Sequence, residues 1–153
     1  MTAQQDTKLH YLALLNDIAS GERRAGVYLQ AWADKTTDPE LKECLSMVAD
    51  RETSHYQIFD RRISELGHTW EDTDAPDFEE RLRVSGSDMT DVEKIHWGQA
   101  RQAERKGPSI RDRYEAAMAD DTVDPLTRSL LRWFSEVESD SGSKLRQVYD
   151  SCE

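Results

Sequence analysis

The sequence predicts an all-α protein, an antiparallel four-helix bundle made of two helix hairpins, and three observations predict it. Only 7 Gly and 4 Pro occur in 153 residues, and they fall where helices should begin or end. Apolar residues recur at spacings of three and four over long stretches, the period of one helical face. The chain also repeats itself at a constant offset of 86 residues without a gap.

Helices are expected over 7–34, 39–66, 91–120 and 125–151, within one domain. Asp38 before Pro39 reads as an N-cap followed by the favoured first-turn proline, and Asp124 before Pro125 repeats that signal. Thr90 and Glu93 have the spacing of a capping box, and Gly67 is placed to end the second helix. The joints within the pairs 7–66 and 91–151 are only a few residues long, which forces each pair into a hairpin. The connection at 67–90 is long enough to cross the length of the bundle.

In the repeat, Lys8-Leu9-His10-Tyr11 aligns with Lys94-Ile95-His96-Trp97, Gly21 with Gly107, Tyr28 with Tyr114, and Asp38-Pro39 with Asp124-Pro125. Leu45 and Glu52 align with Leu131 and Glu138. Two cap-and-proline signals and two apolar stripes at one offset imply a pseudo-twofold arrangement.

With 20 basic against 31 acidic residues, a net charge of −11 repels phosphate backbones and anionic lipid, so neither nucleic acid nor membrane is expected as a partner. Cys44 and Cys152 have neither metal-type spacing nor the density of a disulfide scaffold. The segment Met1 to Lys8 is polar and lacks the order of a signal peptide, and no apolar run reaches membrane-spanning length; a cytoplasmic location is expected. No phosphate-cradling glycine loop and no nucleophile–base arrangement is visible, so no catalytic residue and no organic-cofactor residue is assigned.

Chemistry enters where ionisable residues interrupt the apolar stripes. The second helix reads Leu41, Leu45, Val48, Glu52, His55, Phe59 and then Ile63 or Arg62; the fourth reads Leu131, Phe134, Glu138, Ser141, Leu145 and Val148. On the first helix Glu22 interrupts Tyr11, Leu15, Ile18, Ala25, Leu29 and Trp32. Three carboxylates and an imidazole meeting inside one core require compensation, because a buried unpaired charge costs several kcal/mol or loses its charge. A divalent cation is one answer, since oxygen and imidazole donors suit iron, manganese or zinc, and Glu52-x-x-His55 puts two donors about one turn apart on one face. The other is a salt-bridged core in which Arg111, Arg101 or His55 pairs with the carboxylates and some of them stay protonated. Arg111 is the foremost cation of that set, placed to enter the interior and neutralise Glu138. Tyr28 and Tyr114 read as packing residues, and His10 and His96 as polar positions near a bundle end.

Gly21-Glu22 followed by Tyr28, then Arg51-Glu52-Thr53-Ser54-His55, resembles the first half of a rubrerythrin-type di-iron site in the ferritin-like superfamily. In that family the first and third helices each give one Glu, and the second and fourth each give a Glu-x-x-His. The resemblance implies a ferritin-like bundle with a long crossover, a possible homodimer, and Glu22, Glu52, His55 and Glu138 as metal ligands. The second half departs from the pattern: Pro108 stands at the offset of Glu22 and Ser141 at that of His55. The site is therefore expected to be degenerate, to hold at most one divalent ion (Fe, Mn or Zn) and to lack di-iron oxidase activity. Two alternatives remain at this level. One is a di-iron oxidase or peroxidase that recruits Glu104, Asp112, Glu115 or Asp140; the other is a metal-free bundle serving a protein partner. The third helix also shifts its apolar stripe by one residue, to Ala100, Ala103, Gly107, Ile110, Tyr114 and Ala117, which predicts a kink at Gly107-Pro108.

Overall fold

The two aspartate–proline signals do what their chemistry requires. Asp38 accepts hydrogen bonds from the backbone N–H groups of Glu40 and Leu41 and starts one long helix, and Asp124 accepts from that of Thr127 and starts another. The structure, a computed structural model, describes residues 9–153. It contains α1 (Leu12–Lys35), α2 (Pro39–Glu65), α3 (Phe78–Ser85), α4 (Asp91–Ala103), α5 (Ile110–Met118) and α6 (Pro125–Cys152). The protein is all-α, with no strand among the described residues. No helix among those residues is long and apolar enough to cross a membrane.

The structure corrects the sequence reading at three places. The first helix starts at Leu12 rather than at Thr7; Thr7 and Lys8, with the amino-terminal segment, lie outside the described residues. The crossover carries a helix of its own, α3, which its Pro, Ser and Gly content concealed. The single third helix expected over 91–120 is two helices, so the interruption at Gly107-Pro108 is a break and not a kink. Its cause is local. Gly107 adopts φ +84°, Pro108 cannot donate to a helical ladder, and Ser109 starts α5 with a capping box to Asp112.

α1 and α2 form the closest pair. Lys42 donates to the Ala33 carbonyl, Gly26 lies against Ala49 and Thr53, and Glu22 faces His55, a register that runs antiparallel. Gly26 permits that approach: a Cβ added there would meet Thr53 Oγ1 at 2.5 Å and the Ala49 carbonyl oxygen at 3.3 Å. Thr53 is β-branched and already donates to Ala49, so it has little room to give way. Although alanine is the better helix former, Gly26→Ala should lower stability by roughly 1–3 kcal/mol through overpacking. Urea-unfolding midpoints of the two proteins check this.

The crossover runs along α1. Asn16 accepts from the Glu71 backbone N–H, Ser20 accepts from the Trp70 indole and from the Thr73 N–H, and Arg24 pairs with Asp72 at 2.8 Å. At the far end Asp91 accepts from the Trp32 indole and the Thr36 hydroxyl, each at 2.8 Å, which fixes the start of α4 beside the α1–α2 turn. These bonds explain why Asn16, Ser20 and Thr36 are buried although polar.

Two apolar clusters result. One gathers Leu15, Ile18, Phe59, Ile63, Leu131 and Phe134; the other gathers Leu29, Trp32, Leu41, Leu45, Val48 and Ile95. On α1, α2 and α6 the ionisable residues sit between the two. The third stripe fares differently: Tyr114 and Ala117 are buried, but Ala100, Ala103, Gly107 and Ile110 are exposed, and α4 buries Lys94 and Ile95 instead. The Lys94 ammonium donates to the Ser85 carbonyl at the end of α3.

Candidate metal centre

Helical period, and little else, brings the four sequence-predicted residues inward. Glu22 shares the face of α1 that carries Ile18 and Leu29; Glu52 and His55 share that of Val48 and Phe59 on α2; Glu138 follows Phe134 on α6. One donor atom from each of Glu22, Glu52, His55 and Glu138 lies within 4.8 Å of every other. Glu22, Glu52 and His55 are buried at 7%, 6% and 1% exposure, while the Glu138 side chain keeps 28%. The ring of His55 is held edge-on between Trp133 and Phe134, with centroids 5.3 and 5.2 Å away.

His55 Nδ1 stands 3.7 Å from Glu22 Oε2 and 3.5 Å from Glu138 Oε1, and none of these three buried atoms has a hydrogen-bond partner. Distances of this size are too long for good N–H···O bonds and leave three polar atoms facing a common point. Glu22, Glu52, His55 and Glu138 are the residues that would hold an ion here, each offering one donor atom to the group. The donor set, three carboxylates and one imidazole, fits iron, manganese or zinc.

The electrostatics reflect confinement. Burial pushes the Glu22 carboxyl up to about 7, with the neighbouring Glu138 charge adding to it and His55 opposing it. Burial would lower the His55 imidazole, but the Glu138 and Glu22 carboxylates outweigh it and raise His55 to about 9. Without another cation, the imidazolium is the positive charge available to this cluster.

The other cations expected to serve it do not reach it. Arg111 is exposed and donates to Glu115 at 2.8 Å, because the break before α5 turns it out of the interior. Arg101 pairs with Glu80 and Glu104. The carboxylates named as substitute ligands in the oxidase alternative are engaged elsewhere as well: Asp112 caps α5, Glu115 holds Arg111, Glu104 sits beside Arg101, and Asp140 binds Arg51 and Lys144. Ser141, at the offset of His55, is buried and accepts from Arg51 Nη1 at 3.0 Å. His10 and His96 are exposed and lie beside Asp120 and Glu153.

Reasoning from sequence missed the wall beside the cluster. A cavity of about 610 Å³ borders Glu22, Glu52 and Glu138 and is lined further by Tyr28, Tyr114 and Arg81. Tyr28 and Tyr114 pack as expected, Tyr114 edge-on against Phe134 in one cluster and Tyr28 against the other, and both also border this cavity. The one sequence signal was the weakness of the third stripe, whose alanines offer little area to bury.

No family model, curated protein or solved structure matches the chain.

Proposed function

We propose that this chain is a ferritin-like, rubrerythrin-related four-helix bundle with a degenerate di-iron site, and that its surviving half binds one divalent metal ion. The observation that carries this reading is the meeting of Glu22, Glu52, His55 and Glu138 within 4.8 Å, with three of their buried atoms unpartnered. A bound divalent ion supplies two positive charges to carboxylates that otherwise share one imidazolium. The protein's part is to hold the donors: α1 presents Glu22, α2 presents Glu52 and His55 one turn apart, and α6 presents Glu138 from the opposite side.

Support for a single ion comes from the other half. Pro108 is exposed at the break, Ser141 is committed to Arg51, and Glu104, Asp112, Glu115 and Asp140 are paired away from the cluster. A second adjacent ion would have bridging carboxylates alone, so the reading carries no di-iron oxidase activity. Elemental analysis of protein expressed with iron, manganese and zinc, then desalted, should find about one ion per chain, and less than a tenth of that in Glu52→Ala. Two irons per chain with oxygen-dependent absorbance would refute the reading.

A further inference from the structure

The cavity beside the cluster has walls that a merely solvent-filled gap does not require. Arg81, Arg105 and Arg146 line it, and none of the three has a carboxylate within ion-pair distance among the described residues. Arg81 is half-buried there, and Arg105 and Arg146 are exposed. Arg81 is held between ring faces, with its guanidinium carbon 5.2 Å from the centroid of Tyr28 and 5.1 Å from that of Trp97. Stacking of this kind orients a guanidinium while leaving its N–H edge available.

Aromatic surface and unengaged hydroxyls complete the lining. Tyr28, Tyr114 and Tyr149 border the cavity, and their hydroxyls make no hydrogen bond to any described residue. Trp97, Ile110 and Leu145 add apolar wall. A volume of about 610 Å³ is within the range of pockets that enclose small organic molecules, roughly 300–1,000 Å³.

We propose that this cavity binds a small aromatic carboxylic acid, its carboxylate on Arg81 and Arg105 and its ring among Tyr28, Trp97 and Tyr149. A fixed guanidinium fork matches a carboxylate bidentately, and the ring edges, left where Arg81, Arg101 and Trp32 cover faces of these rings, match a planar body edge-on. A monoanion is favoured over a phosphate dianion because Glu22 and Glu138 border the same space and repel the second charge. The inference depends on the cavity and its arginines, not on whether the carboxylate cluster holds metal.

Calorimetric titration with 2-naphthoate, its neutral counterpart 2-naphthamide, and phenyl phosphate tests it on the purified chain, once after chelator treatment and once with saturating Zn²⁺. The acid is expected to bind at least roughly tenfold tighter than the amide in both samples, the worth of a charge-assisted bond. Arg81→Gln combined with Arg105→Gln should erase that preference while leaving helicity and metal content unchanged. Arg83→Gln, exposed on the same helix α3, should leave the preference intact and so excludes a general charge effect. Equal affinity for acid and amide, or no binding of either, would overturn the proposal. So would tighter binding of phenyl phosphate, or acid binding confined to the zinc-loaded sample, which would put the carboxylate on the metal. Zinc content measured in the same samples keeps a failure of this proposal distinct from a failure of the metal reading.

Discussion

His55→Ala should abolish the metal-dependent rise in melting temperature and also lower the melting temperature of the metal-free protein. Both effects follow from the position of one imidazole. With metal at 100 times its dissociation constant, a site that exists only in the folded chain stabilises it by about 2.7 kcal/mol. For a chain of 153 residues that is roughly 5–10 °C. Loss of the Nδ1 donor takes away one of four ligands, so most of this increment should vanish in a differential scanning experiment with Zn²⁺ or Mn²⁺. In the metal-free protein His55 is the buried cation between Glu22 and Glu138, and its ring fills the space between Trp133 and Phe134. Removing it leaves carboxylates uncompensated and a hole behind them, a loss of about 3 kcal/mol or more. Glu52→Gln separates the two effects. It keeps the volume and removes one negative charge from the cluster, so metal affinity should fall by at least about tenfold while the metal-free protein melts no lower than the parent. A metal-dependent shift that survives both substitutions would place the ion elsewhere.

The second large effect is expected at Asp124, away from the carboxylate–histidine cluster. Its carboxylate accepts from the Thr127 backbone N–H and hydroxyl, from the Tyr11 hydroxyl at 2.7 Å and from Arg62 Nη2 at 2.8 Å. One side chain thereby caps α6 and ties it to α2 and to the residue preceding α1. Asp124→Ala should cost about 3 kcal/mol, the sum of a lost cap and a lost charge-assisted bond, read from urea-unfolding midpoints. Asp124→Asn keeps an acceptor for the Thr127 N–H and should cost less.

The same group makes stability depend on pH. Burial pushes the Asp124 carboxyl up, but the bonds from Thr127 and Tyr11 and the Arg62 charge outweigh it and hold the carboxyl well below the ordinary range. A carboxyl with a folded value below its unfolded value, about 3.9, binds fewer protons in the folded state than in the unfolded state. Its contribution is therefore complete above that unfolded value and is lost as pH falls toward the folded one. The stability difference between the parent and Asp124→Ala should hold steady from about pH 7 to pH 5 and narrow below about pH 4. A gap that stays constant through that range would remove Asp124 as its source.

Signals that act within one turn of helix were legible from the residues themselves. Asp38-Pro39 and Asp124-Pro125 satisfy the orphan N–H groups of their own helices, and Thr90 with Glu93 forms its capping box, whatever the rest of the chain does. The inward faces of α1, α2 and α6 were legible for a related reason. Leu15, Leu41, Leu45, Phe59, Ile63 and Leu131 carry enough apolar area to dictate which side is buried, and the period then carries Glu22, Glu52, His55 and Glu138 to the same side.

The third segment lacked that driving force. Its stripe is mostly alanine and glycine up to Ile110, so little free energy resists its exposure, and Gly107-Pro108 offers a cheap place to break. Arg111, just after the break, lies exposed and paired with Glu115, and it lines the cavity with Ile110 and Tyr114. Asn16 and Ser20 on α1, where the crossover packs, were equally unreadable, because their partners are backbone groups some fifty residues away. By itself, then, the sequence determined the all-α class, the caps and the four inward donors, since each follows from local hydrogen bonding or from the helical period. Tertiary structure decided how far the third segment stands from the others, the exposure of Arg111 and the space beside the carboxylates, because these depend on how weakly one helix is held against the others.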